Sequence, residues 1–264
     1  SVVLVNNRQT TEPAYMARAF QARLQLTVES EFVPRPDLRG SVEGLDDWDE
    51  DVADLQYANV FEYAVGHGCS ANTEVDANGT CSRVWTVWIP PAEVERVAPA
   101  QITSVELGMA VLGSLVDAAD ATAKLSPLVS AYRTWIQSQK TKVAALAGDR
   151  KETGKTLIAQ AEFAAQRIEA GIAALADPDV LESFKLANSC METAARRRSA
   201  ILNDIDPAKV DPPAWRPFQL AFMLTTLGGV AKPLHADRER VDLLFFPTGG
   251  GKTEAYLGLA AFTL

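Results

Sequence analysis

The hydrophobic and polar positions of the first ninety or so residues alternate in short runs that are typical of β-strands. Over residues 20–28 every second position is apolar, which is the period of a half-buried antiparallel strand. Two later runs, 57–65 and 84–89, are rich in aromatic and β-branched residues and predict two further strands. The last run has large side chains on both faces, so we expect it to be the central strand of a β-rich N-terminal domain, residues 1–92.

The pattern changes after Pro90-Pro91, where apolar positions begin to recur every three to four residues. This period predicts four amphipathic helices over residues 93–205, which would form a helical bundle or a helical layer over the β region. Capping residues and glycines suggest the helix ends. The predicted segments are Thr103 or Ser104 to about Leu115, Ser126-Pro127 to Gly148, 151 to 176, and a fourth helix that starts at Asp177-Pro178.

A third region follows a Pro- and Asp-rich linker at residues 206–213. The apolar residues 220–227 predict a helix. The apolar run Leu243–Phe246 predicts a buried strand, which enters a glycine-rich loop and then an apolar helix from Ala255. Strand, loop and helix in this order are typical of P-loop folds. The predicted fold class is therefore α+β multidomain: the β-rich domain, the helical region, and the start of a RecA-like α/β P-loop domain at 206–264.

Composition narrows the class of protein. The chain has 264 residues, of which 47% are apolar and 22% charged, as in ordinary soluble globular proteins. Its net charge of −9 means that the chain as a whole does not attract nucleic acid, so any such surface must be local. No apolar run is long enough for a membrane span, and Ser1 is not followed by a signal-peptide pattern. Three cysteines without a C-x-x-C pair fit a reducing cytoplasm.

The glycine-rich loop carries the most specific chemistry. Glycines allow backbone N–H groups to converge on a polyphosphate, and the following helix adds the partial positive charge of its N-terminus. Lys252 can reach the β and γ phosphates of a nucleotide, and the Thr253 hydroxyl can bind Mg²⁺. The strict P-loop pattern would place glycine where this chain has Phe246. The candidate phosphate-binding residues are Thr248, Gly249, Gly250, Gly251, Lys252, Thr253 and Glu254.

Other patterns allow a functional and a structural interpretation, and the structural one is favoured in each case. The acidic stretch 41–54 is either a docking or metal-binding loop or a solvated loop. His67, Cys69 and Cys81 match no standard zinc spacing and lack a fourth ligand, so a strand-to-loop turn is the better interpretation. Two further patterns are the second G-K-T triplet at 154–156, which no strand precedes, and the arginines 196–198, which either contact a phosphate backbone or are cations at a helix end.

Two motifs together point to a helicase. The heptad 247–253, P-T-G-G-G-K-T, resembles motif I of superfamily 2 helicases, and Arg216-Pro217-Phe218-Gln219 lies about thirty residues upstream, where that superfamily has its Q motif. The resemblance implies that the amide of Gln219 pairs with the Hoogsteen edge of adenine and that Arg216 or Phe218 packs on the base. An amide can donate to N7 and accept from the N6 amino group at once, which explains the residue type.

The longer sequence around the heptad is specific to a smaller group of proteins than either motif alone. The residues from Pro247 to Leu259, P-T-G-G-G-K-T-E-A-Y-L-G-L, resemble the DrmA helicases of bacterial DISARM anti-phage systems, and residues 63–69 and 88–90 are also similar to that family. Membership implies an ATP-dependent superfamily 2 helicase or translocase that acts on DNA with a DrmB-like partner in defence against phage. It implies ATP and Mg²⁺ as cofactors, with Lys252 and Thr253 as the catalytic residues of motif I.

The ends of the sequence suggest a piece of a longer protein. The chain begins at Ser1 and stops eleven residues after Thr253, before the acidic residue and the arginine finger that a superfamily 2 motor needs. We therefore expect an N-terminal fragment that ends just after motif I and does not hydrolyse ATP alone. Two alternatives remain: a nucleotide-binding scaffold for protein interactions without its own hydrolysis, and a P-loop ATPase of another superfamily, in which Gln219 would not select adenine.

Overall fold

The structure is a computed structural model that describes residues 2–5, 7, 9, 22–36, 47–90, 97–246 and 249–264. The chain divides into two compact units, residues 1–95 and 96–264, which are described separately below.

The first unit contains a small antiparallel sheet. Its strands are β1 (Gln25–Thr27), β2 (Ser70–Val75) and β3 (Cys81–Val87), in the order β1-β3-β2. A tight turn joins β2 to β3, because the Asp76 carboxylate accepts hydrogen bonds from the backbone N–H groups of Asn78 and Thr80, at 2.9 and 2.8 Å. One helix, α1 (Trp48–Gln56), precedes β2.

The sheet confirms one of the predicted strands and corrects another. The strand predicted at 84–89 is β3, and it is central as expected. The predicted strand at 57–65 is wrong: residues 57–59 form a turn and 60–66 have no strand partner among the described residues. Its place beside β3 is taken by β2, whose sequence Ser-Ala-Asn-Thr-Glu-Val alternates too weakly to predict a strand. The strand predicted at 20–28 is reduced to β1; residues 20 and 21 lie outside the described residues.

The second unit is helical. Its elements are α2 (Met109–Leu112), α3 (Ala118–Ala144), α4 (Gly148–Ala174), α5 (Pro178–Asn203), α6 (Pro217–Ala231) and α7 (Lys252–Thr263), with short 3₁₀ turns at Pro207–Lys209 and Ala236–Glu239. The two long helices predicted from residues 151 and 177 are confirmed as α4 and α5. Asp177 caps α5 by accepting the backbone N–H of Asp179 at 3.0 Å, and Pro178 occupies the first turn.

Three predicted helix ends are wrong, each because a stronger local signal prevails. Helix α3 begins at Ala118, since Asp117 accepts the backbone N–H of Asp120 at 2.8 Å, and Pro127 therefore lies inside the helix at the cost of one backbone hydrogen bond. Gly148 is the first residue of α4 and does not end α3. The helix predicted from residue 103 or 104 to about 115 is only the single turn α2.

The helices of the second unit share one hydrophobic core. Helices α4 and α6 cross so closely that a Cβ on Gly171 would collide with the backbone carbonyl of Leu224. Trp215, Leu220 and Phe262, all from beyond residue 206, belong to the same core as α3, α4 and α5. A separate domain that starts at residue 206 stays a prediction, but the packing of residues 206–264 is shared with the helices before it.

The segment before the glycine-rich loop corrects the buried strand predicted at 243–246. This segment has no strand partner among the described residues, and the side chains of Leu243 and Phe245 are each 86% exposed. A strand is buried on both faces only when other strands flank it and helices cover it, and no strand flanks this segment among the described residues. No helix in the described part of the chain is both long and apolar enough to cross a membrane.

Candidate nucleotide-binding site

The glycine-rich loop leads into the N-terminus of α7. Gly249 and Gly251 have positive φ angles of 79° and 93°, a region that L-residues with side chains rarely adopt. Gly251 is the N-cap of α7, so the unpaired N–H groups of the first helical turn open directly on the loop. Pro247 and the candidate residue Thr248 lie outside the described residues. The described part of the loop therefore has the backbone conformation that an anion-binding helix start needs.

Lys252 and Thr253 occupy the first turn of α7. The Lys252 ammonium donates to the backbone carbonyl of Phe246, and so it folds back over the loop. The Thr253 side chain is exposed on the same turn. A lysine amine above the loop and a hydroxyl at its rim are the two groups that a Mg²⁺–nucleotide requires.

Gln219 lies directly against this loop. It is the third residue of α6 and its side chain is 4% exposed. Its Oε1 accepts the backbone N–H of Arg216 at 2.8 Å, and its Nε2 donates to the carbonyl of Gly251 at 2.7 Å. These two bonds assign the amide orientation, because a flipped amide would face donor with donor and acceptor with acceptor. The two motifs, whose residues Gln219 and Gly251 are 32 positions apart, are thus in direct contact.

The close fit also explains why residue 251 is glycine. A Cβ at Gly251 would lie 2.7 Å from Gln219 Nε2, which is closer than real Cβ atoms approach a nitrogen. The guanidinium of Arg216 adds a second link, since it donates to the carbonyl of Gly250. Two of the three predicted base-side residues, Arg216 and Gln219, therefore contact the backbone of the predicted phosphate loop.

Phe218 packs against the residue that departs from the strict P-loop pattern. Its ring stacks on that of Phe246, with centroids 4.2 Å apart and planes 12° from parallel. A glycine at position 246 would leave this ring without a partner. The departure from the strict pattern is thus part of the packing between α6 and the loop.

Glu254 links the loop to the helical layer. Its Oε1 lies 3.1 Å from Nη1 of Arg198, on α5. Within the same arginine triplet, Arg196 pairs with Glu192 and donates to the carbonyl of Val210 at 2.7 Å. Sequence reasoning treated these arginines as favourable cations at a helix end and did not connect Arg198 with Glu254, because the two residues are 56 positions apart.

Comparison of the sequence with known proteins gives one relevant match and one negative result. No protein-family model matches the chain. The chain is 32% identical to the DISARM protein DrmA of Bacillus paralicheniformis in an alignment of 233 residues, which covers 81% of this chain. The chain is DrmA-like. It spans about a fifth (20%) of the length of that curated relative. The resemblance predicted from the wording of the glycine-rich loop is thereby confirmed.

The DrmA-like chain has a polar anchor that sequence reasoning missed. Arg167 on α4 donates from Nη1 and Nη2 to the two carboxylate oxygens of Asp242, at 2.6 and 2.8 Å, and from Nε to Asp237 at 2.9 Å. The hydrogen bonds from Arg167 lower the pKa of Asp242 below its usual range, and those to Asp242 raise the pKa of Arg167. This pair holds the segment that enters the glycine-rich loop against α4. The sequence signal was weak, since a lone arginine in an amphipathic helix is usually a surface residue.

The other candidate residues of the DrmA-like chain do not form sites. His67 and Cys69 are exposed, Cys81 is buried, and no group of three possible metal ligands occurs among the described residues. Residues 48–54 of the acidic stretch belong to α1, which corrects the loop interpretation there; residues 41–46 lie outside the description. The triplet 154–156 lies inside α4, where Lys155 pairs with Glu152 at 2.7 Å, so it is no phosphate loop.

Proposed function

We propose that this chain contributes the nucleotide-binding part of a superfamily 2 helicase or translocase, with ATP and Mg²⁺ bound at the glycine-rich loop. The observation that carries the proposal is the bond from Gln219 to the carbonyl of Gly251. A glycine-rich loop at a helix start suits any phosphate. An amide held against that loop by α6 adds a group suited to recognise the base of the same nucleotide.

Gln219 retains the capacity to read adenine while it holds the loop. Its Oε1 uses one lone pair for Arg216, and its Nε2 uses one N–H for Gly251. One lone pair and one N–H remain, which are the acceptor and donor that the N6 amino group and N7 of adenine require. By this count of donors and acceptors, recognition of the base would not require either existing bond to break. Arg216 and Phe218, on either side of Pro217, supply the surfaces that pack on the base.

The phosphates would be held by the first turn of α7. Backbone N–H groups of residues 249–253 would hold the phosphates, and the Lys252 amine, which here donates to the Phe246 carbonyl, would pair with the β and γ phosphates. Thr253 would bind Mg²⁺ through its hydroxyl. In a superfamily 2 motor, hydrolysis also needs a residue that positions the attacking water and an arginine finger.

In the whole protein, ATP would bind between two RecA-like lobes, of which residues 206–264 begin the first. The relative's printed name, DISARM protein DrmA, supports a role in bacterial defence against phage. On that basis we propose that the full protein acts in the cytoplasm on DNA, together with a DrmB-like partner subunit and the rest of its own helicase chain.

A nucleotide-binding scaffold without hydrolysis is the alternative function. The first unit favours it, because several large apolar side chains there are well exposed and suit contacts with another protein: Val60, Phe61, Trp88 and Ile89. In that case the full protein would bind ATP with the same residues but would not turn it over.

The test is replacement of Lys252 by Ala in the full-length protein. We expect ATP affinity to fall about tenfold to a hundredfold, the effect of hydrogen bonds to a charged group, and ATPase activity to be lost. Lys155→Ala is the matched control, since it removes the lysine of the other G-K-T triplet, where the amine pairs with Glu152 at 2.7 Å. ATP affinity is measured by calorimetry. Equal ATP affinity of the two variants would refute the phosphate site. If the wild-type protein binds ATP but does not hydrolyse it, the scaffold is favoured.

A further inference from the structure

Trp215 lies immediately before the motif Arg216-Pro217-Phe218-Gln219 and is the largest fully buried side chain of the second unit. Its backbone N–H donates to the carbonyl of Leu107 at 2.8 Å, and the backbone N–H of Met109 donates to Pro213 at 3.0 Å. These two bonds fix the main chain just upstream of Arg216. The indole N–H of Trp215 must also find a partner, because an unpaired buried donor is costly.

That partner is Asn188 on α5. Its Oδ1 accepts the indole N–H at 2.7 Å, and its Nδ2 donates to the carbonyl of Phe184 one turn earlier, at 2.8 Å. Asn188 is 0% exposed and lies among apolar residues of the core. The bond to Phe184 fixes which way the amide faces, since the flipped amide would set two donors and two acceptors against each other. Asn188 therefore presents one acceptor, in one direction, to Trp215.

The other edge of the indole faces α7. A Cβ on Gly258 would lie 2.7 Å from Cη2 of Trp215 and 2.8 Å from the sulfur of Met223, on α6. The backbone of α7 thus approaches the ring as closely as glycine allows. Through one side chain, α5, the start of α6 and the helix of the phosphate loop are held in a single arrangement.

We propose that Asn188 is a positioning residue for base recognition: it orients Trp215, and Trp215 sets the position of Arg216 and Gln219 relative to α7. This inference rests on the proposed nucleotide site and adds to it a residue that does not touch the nucleotide. If the indole turns or shifts, Arg216 moves with it, and the two bonds of Gln219 to Arg216 and Gly251 can no longer both keep their lengths. Gln219 would then hold adenine less accurately, while the phosphates would still bind the first turn of α7.

The experiment compares four variants of the full-length protein: Asn188→Leu, Trp215→Phe, the double variant, and Asn203→Leu. Asn203 is the matched control, because its Nδ2 donates to the Ser199 carbonyl at 2.9 Å in the same way but at the exposed end of α5, with no indole partner. Dissociation constants for ATP and GTP are obtained by competition against a fluorescent ATP analogue, at a temperature where circular dichroism shows each variant to be folded.

We expect the preference for ATP over GTP to fall about tenfold in both single variants and to be unchanged in Asn203→Leu, a loss comparable to one hydrogen bond. The double variant separates positioning from stability. It removes both polar partners, so its melting temperature should be higher than the two single losses predict, while its ATP preference should stay low.

Three results would overturn the inference. An unchanged ATP preference in the folded double variant would make Asn188 a purely structural residue, with the nucleotide site still in place. A loss in Asn203→Leu as large as in Asn188→Leu would show that the effect is not specific to the indole contact. If the wild-type protein binds neither ATP nor the analogue, the proposed function itself fails, and the positioning role fails with it.

Discussion

At the scale of single residues, the contact between Gln219 and Gly251 determines which class of ligand the glycine-rich loop indicates. The loop alone indicates a phosphate. The buried amide against the Gly251 carbonyl connects it with α6 and supports the proposal of an adenine nucleotide. The same contact leaves no room for a side chain at position 251.

Alanine substitutions at two glycines of the loop distinguish the effect of backbone strain from the effect of a steric collision. Gly251→Ala adds a Cβ at a φ of 93° and 2.7 Å from Gln219 Nε2, so we expect it to abolish ATP binding. Gly249→Ala has a similar φ of 79° but meets nothing within 4 Å, so it should cost only the strain, about 1 kcal/mol, and leave most of the affinity. Calorimetric titration with ATP distinguishes them. Equal losses in the two variants would argue that the amide does not lie against Gly251.

At the scale of elements, the segment before the loop is held by a charged pair instead of by neighbouring strands. Arg167 on α4 binds Asp242 with two parallel hydrogen bonds, a geometry that is among the strongest available to side chains. This pair compensates for the lack of a strand ladder at residues 241–246 within the described chain.

The Arg167–Asp242 pair makes a prediction about pH. Hydrogen bonding from Arg167 lowers the pKa of Asp242 in the folded state below the value of 3.8 for an unperturbed carboxyl. Its contribution is therefore fully present above about pH 4 and is lost as pH falls through the lower folded-state pKa. We expect Asp242→Asn to lower the free energy of unfolding by about 1–3 kcal/mol at pH 7, and by less near pH 3.

Urea unfolding at both pH values provides the measurement, with Arg167→Met as the partner variant. Without Arg167 the main cause of the lowered pKa is gone, so replacing Asp242 by Asn in that background should change the pH dependence little. A cost of Asp242→Asn that is the same at pH 3 and pH 7 in the wild-type background would contradict the pairing.

At the scale of the whole molecule, the two compact units differ in kind. The first has a three-stranded sheet with exposed apolar side chains, and the second is a helical body that includes the glycine-rich loop. Within the second unit, the candidate nucleotide site and the helices before it depend on one core, because α6 and α7 pack on α4 and α5. A change in that core far from the loop should therefore reach the site.

Gly171 tests this shared core. Gly171→Ala places a methyl group against the Leu224 carbonyl where α4 crosses α6, so we expect a loss of about 1–3 kcal/mol in the free energy of unfolding and weaker ATP binding. Gly154→Ala is the comparison on the same helix: the atoms nearest to its methyl group belong to the Val143 side chain, at 2.9 and 3.1 Å, and not to a backbone, so its cost should be smaller. Thermal unfolding followed by circular dichroism compares the two. Unaffected stability of Gly171→Ala would mean that α4 and α6 are not in this contact.

The elements predicted correctly from the sequence were those with local causes. Asp177 and Pro178 start α5 through contacts within one turn, and a helix follows the glycine-rich loop as the apolar sequence there predicts. The phosphate-binding roles of Lys252 and Thr253 stay predictions. The central strand β3 was predictable too, because its side chains are large on both faces. Such signals need only the residues beside them, and so they can be read from the order of amino acids.

The predictions that were wrong concern strands, whose formation depends on partners far along the chain. Residues 243–246 have the composition of a buried strand, but burial requires other strands, and residues 57–65 lost their place beside β3 to the more polar β2. A strand is stabilised by its neighbours rather than by its own sequence, so its pattern is only a precondition.

The sequence by itself determined the glycine-rich loop before a helix, the two long helices α4 and α5, and the resemblance to DrmA, since all of these are encoded in short, contiguous stretches of the chain. Only the tertiary structure decided that Gln219 contacts Gly251, that Arg167 holds Asp242, and that Asn188 receives the indole of Trp215. These pairs are separated by 32, 75 and 27 positions, and nothing in the neighbouring sequence of either partner indicates the contact. Their meaning arises when the shared core brings them within hydrogen-bond distance, where burial makes an unpaired group too costly to leave.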